Sequence, residues 1–138
     1  MACTEFFANE NYNHFLNTTI MTEKEIKYII DFDIVVDAND DEDIFMGWIN
    51  FMVDSLQFPF KAIATIKKRN GTTEERTVDV IEDATNYDRF KCQAYHVNVD
   101  YEGVLMKVEI ADLKPINASE ETLKAIMVWK YWLNKGYY

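Results

Sequence analysis

Residues 31–60 concentrate acidic side chains, with eight Asp and Glu residues and no Lys or Arg. Five of these acids lie within seven positions, and we call this stretch the acidic run: Asp37, Asp40, Asp41, Glu42 and Asp43. Neighbouring carboxylates repel one another, so water, a helix N-terminus, a basic partner or a hard cation must offset the repulsion. Carboxylate and carbonyl oxygens are the ligands that Ca²⁺ prefers. The acidic run is therefore a candidate Ca²⁺ site.

The spacing of the acidic run does not fit an EF-hand loop. Counted from Asp37, oxygen-bearing side chains alternate through the first half, as they do in such a loop. The sixth position holds Glu42 where the loop needs Gly, and the twelfth holds Trp48 where it needs Glu. A cation site here must be irregular, and we predict that Asp79, Glu82 or Asp83, from the sheet, completes it.

The same acids have a structural interpretation that the sequence leaves open. Asp40 to Asp43 lie at the start of a predicted helix, where acidic side chains cap free amides and interact favourably with the helix dipole. Each such charge contributes roughly 0.3–1 kcal/mol. One or two acids are enough for that role, whereas four or five add mutual repulsion. A third interpretation is an interaction module that docks a basic protein partner on this acidic face, with no metal.

The charge distribution restricts the partners that we expect. The formal net charge is −10, all of it from residues 1–60, because the acids and bases of residues 61–138 balance. Affinity for nucleic acids depends on Lys and Arg, so a cation or a basic protein surface is favoured over nucleic acid. No apolar stretch is long enough to span a membrane, and no signal-peptide pattern opens the chain. We expect a cytoplasmic protein that does not bind membranes.

Residues that could support catalysis are few. Neither His14 nor His96 has an obvious nucleophile partner, and a Cys92–His96 pair would lie too far apart along one strand for easy proton transfer. The two cysteines, Cys3 and Cys92, predict neither a disulfide framework nor a zinc site. With four glycines there is no phosphate-binding loop. We therefore expect a protein that is not an enzyme.

Three helices are predicted around these residues. Asp40 to Leu56 carries apolar residues at i, i+4, i+7 and i+11 from Phe45, with Asp40 as N-cap. A capping box at Thr22 predicts a short helix to about residue 30, and residues 34–36 could end that helix or form a strand. A C-terminal helix is predicted from an Asn117 cap to a stop at Gly136. We interpret residues 1–21 as a partly ordered extension and 22–138 as one domain.

Between the second and third helices the apolar period changes to that of strands. Turn signals lie at Asn70-Gly71 and Glu102-Gly103. The predicted strands are Ala62–Lys68, Thr77–Ile81, Phe90–Val99 and Leu105–Ile110. Short antiparallel strands at this spacing predict an α+β fold, a small SH3-like antiparallel barrel flanked by an acidic N-terminal helix and a C-terminal helix.

Aromatic residues flank this sheet region in two groups. They are Trp48, Phe58, Phe60, Trp129 and Trp132. They could form a ligand groove, but packing between the helices and the sheet is the more common role of such residues, and we favour it.

Several motifs, in order along the chain, resemble one family. They are Ile34-Val35-Val36-Asp37-Ala38, Gly47-Trp48, Leu56-Gln57-Phe58-Pro59-Phe60-Lys61-Ala62, Val78-Asp79-Val80-Ile81, Asp112-Leu113 and Trp129-Lys130-Tyr131-Trp132 with Gly136-Tyr137. Together they resemble the small bacterial calcium-binding proteins typified by a cyanobacterial calcium-binding protein. The resemblance implies an SH3-like barrel with flanking helices that binds Ca²⁺ through surface acids. We therefore expect a Ca²⁺ buffer or sensor. The loop Glu82–Asp88 holds fewer acids than the Glu run of that family.

Overall fold

A helical layer and a five-stranded sheet form the described part of the chain, residues 21–135 of a computed structural model. The helices are α1 (Glu23–Ile29), which continues as a π-helix (Ile30–Ile34), α2 (Asp41–Ser55) and α3 (Glu120–Lys135). The strands are β1 (Phe60–Lys67), β2 (Thr73–Asp83), β3 (His96–Tyr101), β4 (Val104–Glu109) and β5 (Lys114–Asn117). Two 3-10 turns, Tyr87–Arg89 and Ile110–Asp112, lie in the connections after β2 and β4.

The strand order is β4-β3-β2-β1-β5, and every neighbouring pair is antiparallel. The long β2 pairs with β1 over its first part and with β3 over its second, with an irregularity between Val80 and Glu82. This order, with a 3-10 turn leading into a final strand that returns to β1, is that of an SH3-like barrel. The predicted α+β class and its flanking helices are confirmed.

Both predicted hairpin turns are present. Gly71 has φ +87°, and the side chain of Asn70 accepts a hydrogen bond from the amide of Thr72 at 3.0 Å. In the second turn Glu102 has φ +53° and Gly103 has φ +85°. Positive φ at both central residues matches the twist of the flanking strands, so this turn connects β3 and β4 with two residues.

The end of α1 packs directly against α2. The Thr22–Glu25 capping box is confirmed, but the helix widens into the π-helix and ends at Ile34, so residues 34–36 are not a strand. A Cβ added at Gly47 would lie 2.0 Å from the carbonyl oxygen of Ile34. Only glycine allows this approach, which explains an otherwise unfavourable residue inside α2.

The predicted strand Phe90–Val99 is wrong in its first half, because residues 90–95 form a loop. Cys92 has φ +58°, which interrupts an extended strand, and its carbonyl accepts a hydrogen bond from Trp132 Nε1 at 3.1 Å. Phe90 and Tyr95 are buried from this loop. Core packing and one buried hydrogen bond therefore determine its path, rather than alternation along a strand.

The connection into α3 also differs from expectation. β5 was not predicted; it is four residues long, contains Pro115 and pairs with β1. Asn117 ends β5 and does not cap α3, because the Ser119 hydroxyl accepts from the amide of Thr122 at 3.2 Å and so occupies the capping position. Gly136 lies outside the described residues. So do residues 1–20 of the predicted extension, which leaves Met21 as its one described residue.

Aromatic rings fill the space between the helices and the sheet. Trp48 and Trp129 are fully buried, with ring centroids 5.0 Å apart, and Trp132 lies 5.2 Å from Trp48. Phe60 is also buried, so packing is the role of most of the flanking aromatics. Within residues 21–135, no helix is long and apolar enough to cross a bilayer.

Candidate metal site

The acidic run occupies the connection between the π-helix and the first turn of α2. All five of its acidic side chains are exposed. Asp37 has φ +58°, a conformation that Asp tolerates better than most residues, and it turns the chain back toward α2. Two neighbouring elements therefore place the run at the surface, at the N-terminal end of α2.

Two acids of the run cap α2 and fix the loop. Asp40 Oδ1 accepts a hydrogen bond from the amide of Asp43 at 2.9 Å, which confirms the predicted N-cap. Asp43 Oδ2 in turn accepts from the amide of Asn39 at 3.0 Å. The two carboxylates thus satisfy amides on either side of the helix start, and each keeps a second oxygen outside these bonds.

The other three acids of the run have no such role. Within residues 21–135, Asp37, Asp41 and Glu42 accept no hydrogen bond and form no ion pair. The dipole of α2 is the favourable interaction available to their negative charges. Their exposed oxygens are hard donors of the type that Ca²⁺ prefers. Across the same residues, no three Asp, Glu, His or Cys side chains converge into a preformed metal-binding group. The donor chemistry fits Ca²⁺, and an ion would have to draw these side chains together.

The acidic run also influences the loop beneath it. Burial, and then the nearby Asp41 carboxylate, raise the pKa of the Cys92 thiol to about 12. The thiol therefore stays protonated near neutral pH, which is the less nucleophilic form of a cysteine.

Asp83 holds a different group of residues together. Its Oδ1 accepts from the amide of Thr85 at 2.8 Å, and its Oδ2 accepts from the hydroxyls of both Tyr87 and Tyr95. Burial, and then the Asp83 carboxylate, raise the pKa of Tyr95 far above its usual range, and the same two causes raise that of Tyr87. Both phenols stay protonated donors, so Asp83 ties the 84–95 loop to the end of β2.

Asp83 is separated from the acidic run by aromatic rings. Tyr95 packs edge-on against Phe90 at 6.0 Å, and Phe90 packs edge-on against Phe45 of α2 at 6.3 Å. Asp83 is therefore connected to α2 through Tyr95 and a chain of packed aromatic rings. No sequence motif indicated the tyrosine partners, although Tyr87 lies only four positions after Asp83.

Asp79 lies in a third setting. Its carboxylate forms an ion pair with Lys61 Nζ at 2.8 Å, across the β1–β2 pair. Both residues line an open cleft of about 620 Å³ together with Gln57 and Phe58, which follow the C-terminal end of α2. Because α2 has fifteen residues, about 22 Å separate that end from the acidic run. The structure does not bring Asp79 to the run, and its role as a ligand stays a prediction.

Comparisons with known proteins identify the family. A family model described as calcium binding, of the CcbP type, matches residues 29–133. The crystal structure of CcbP from Anabaena is similar with a TM-score of 0.71 and 32% identity, over 86% of this chain and 97% of that one. A calcium-binding protein in its calcium-binding form gives a TM-score of 0.68 and 31% identity, over 86% and 99%. A search of curated protein sequences found no significant match.

The matched range extends from the end of α1 to residue 133 in the last turn of α3, and it includes the acidic run, the whole sheet and the buried tryptophans. Fold, sequence motifs and the hard oxygen donors at the start of α2 agree with this match. The chain belongs to the CcbP family of calcium-binding proteins.

Proposed function

We propose that this chain binds Ca²⁺ through the acidic run and acts as a calcium buffer or sensor rather than as an enzyme. One observation carries the assignment of the site. Asp37, Asp41 and Glu42 are exposed and have no polar partner within residues 21–135, on a loop that two neighbouring acids anchor. Carboxylates in this state keep their mutual repulsion, which a divalent cation relieves.

The residues divide into two roles in this proposal. Asp37, Asp41 and Glu42 supply carboxylate oxygens, and backbone carbonyls of the loop and water supply the remaining ligands that Ca²⁺ needs. Asp40 and Asp43 continue to cap α2 and add negative charge. Asp79 and Asp83 are already engaged with Lys61 and with two tyrosines, so we place them outside the first set of ligands.

The exposed position of the site determines its expected affinity. A surface loop leaves several waters on the ion, so binding should be modest and should weaken as salt screens the carboxylates. An irregular, adjustable ligand set favours Ca²⁺ over Mg²⁺, because Mg²⁺ demands near-ideal octahedral geometry and loses water reluctantly.

Calorimetric titration of metal-free protein with Ca²⁺, in buffer that contains Mg²⁺, tests the proposal. We expect saturable binding and a rise in melting temperature, equivalent to about 2.7 kcal/mol of stabilisation when free Ca²⁺ is a hundred times Kd. The double variant Asp37→Asn/Asp41→Asn should lose most of both responses. It removes two charges without touching the capping pair.

Asp31→Asn/Asp33→Asn is the matched control. These two acids are exposed on the π-helix, form no hydrogen bond or ion pair within the described range, and give the same change in residue type and charge. We expect this variant to keep the Ca²⁺ response, apart from a small loss through long-range charge. Equal losses in both variants would mean that Ca²⁺ responds to the overall negative charge and not to a defined site. Ca²⁺ binding itself would be refuted if the wild type showed neither heat of binding nor a Ca²⁺-dependent rise in melting temperature.

A further inference from the structure

A small basic pocket lies beside the 3-10 turn Tyr87–Arg89. Its volume is about 350 Å³, and its lining is rich in cationic and amide side chains. Those that matter here are Asn86, Arg89, Lys91, Gln93, His96 and Lys107. Three regions bring these side chains together: the loop after β2, the first residue of β3 and the middle of β4.

Within residues 21–135, the cations of this pocket lack the carboxylate partners that six other bases have. Within residues 21–135, six ion pairs are formed, and none of them includes Arg89, Lys91 or Lys107. Lys91 lies over the ring of Phe45 at 5.8 Å, a contact that leaves its ammonium donors available. Three cations without a carboxylate partner, at one concavity in a chain of net charge −10, point to an external anion.

Nearby acids only partly offset this positive charge. Glu109 faces His96 across the β3–β4 pair, and burial raises the pKa of its carboxyl group. Asp88 lies on the turn itself, where its amide donates to Asn86 Oδ1 at 3.1 Å. That bond uses the amide oxygen of Asn86 and leaves its NH₂ group as a donor. The pocket therefore offers guanidinium, ammonium and amide donors together.

We propose that this pocket binds the phosphate group of a small molecule. Arg binds phosphate oxygens with two parallel hydrogen bonds, and Lys adds point charges, so Arg89, Lys91 and Lys107 together match a dianion. The volume is at the lower end of the range for small-molecule sites, which suits one phosphate and a short organic part. A nucleic-acid backbone fits poorly, because the strongly acidic half of the chain would repel a long polyanion.

The test uses metal-free full-length protein at low salt, titrated with inorganic phosphate, glycerol 2-phosphate or acetate and followed by calorimetry and ³¹P NMR. We expect saturable binding of one phosphate per chain and much weaker binding of acetate. Tighter binding of the ester indicates a phosphorylated metabolite, and equal binding indicates free phosphate; both results support the proposal. Because Ca²⁺ is absent, the outcome does not depend on the proposed calcium site.

Arg89→Gln/Lys107→Gln should weaken phosphate binding about tenfold or more, since two charge-assisted contacts are lost. The matched control is Lys67→Gln/Arg69→Gln at the β1–β2 turn, which removes the same residue types from exposed positions. It should change affinity by less than about twofold, through screened charge alone. Circular dichroism and melting temperature verify that both variants fold. No saturable phosphate binding, equal losses in the two variants, or acetate binding as tight as phosphate would overturn the proposal.

Discussion

The acidic run and the acids of β2 are the same kinds of side chain in two different settings. On β2, Asp79 pairs with Lys61, Glu82 accepts from Asn98 at 2.8 Å, and Asp83 accepts three hydrogen bonds. In the run, Asp40 and Asp43 cap α2, but Asp41 and its neighbours Asp37 and Glu42 have no polar partner in the described part of the chain.

This difference separates acids that stabilise the fold from acids whose oxygens are available to bind a cation. A carboxylate that satisfies protein donors cannot turn to a cation without breaking those bonds, and a broken bond to a buried donor costs about 1–3 kcal/mol. An exposed carboxylate with no protein partner gives up only its waters. The density of negative charge does not distinguish the two groups. They differ in whether the carboxylate oxygens already accept hydrogen bonds or form ion pairs within the protein.

Asp83→Ala is the largest effect that we expect from this comparison. It removes the acceptor of two tyrosine hydroxyls and one amide, and the hydroxyl of Tyr95 is in a buried residue. The free energy of unfolding should fall by about 3 kcal/mol. Urea denaturation measures this loss.

Two companion variants sharpen that result. Asp83→Asn keeps one acceptor oxygen and the size of the side chain, so it should lose less than the Ala variant. Glu82→Ala removes a neighbouring exposed acid whose hydrogen bond to Asn98 is exposed, and it should change stability by less than about 0.5 kcal/mol. Similar losses at both positions would mean that Asp83 has no special structural role.

Asp40→Ala should have an intermediate effect. It removes the N-cap of α2 and should reduce the free energy of unfolding by about 1 kcal/mol, a typical cost for this loss. Asp40→Ser and Asp40→Asn should stay close to the wild type, since both residues are good caps. Thermal melting followed by circular dichroism compares the three, and an equal loss in all of them would show that the charge of Asp40 matters more than its cap.

Asp79→Asn should have the smallest effect, below about 0.5 kcal/mol, because its ion pair with Lys61 is roughly half exposed and is screened by salt. The difference from wild type should shrink further in high salt. The Ca²⁺ response should be unchanged. Loss of the Ca²⁺ response in this variant would mean that Asp79 is a Ca²⁺ ligand. The acids of β2 would then not be separate in function from the acidic run.

Local signals in the sequence predicted much of the fold. The capping box at Thr22, the N-cap at Asp40 and both hairpin turns are present, because each depends on residues within four positions of one another. The helix α2 was predicted nearly to its ends, since its apolar period is long. The strand predicted from Phe90 is wrong over residues 90–95. There, core packing and the hydrogen bond from Trp132 determine the backbone path, despite the alternating pattern of residues.

The candidate site was less accessible to such reasoning. The sequence located the acidic run, but not which of its oxygens cap α2 and which remain free. Tyr95 reaches Asp83 across twelve positions, and Lys107 reaches the basic pocket from another strand. Contacts of this kind follow from the register of β2, β3 and β4, which the strand pattern alone did not fix.

The contact between Gly47 and Ile34 has a further consequence for ion binding. It fixes one end of the loop that carries Asp37, and the Asp40–Asp43 cap fixes the other end, so only residues 35–39 lie between the two anchors. A loop this short loses most of its conformational entropy when the protein folds. Ca²⁺ binding then has little backbone left to order. Its entropy change should come mainly from released water and a few side-chain rotamers.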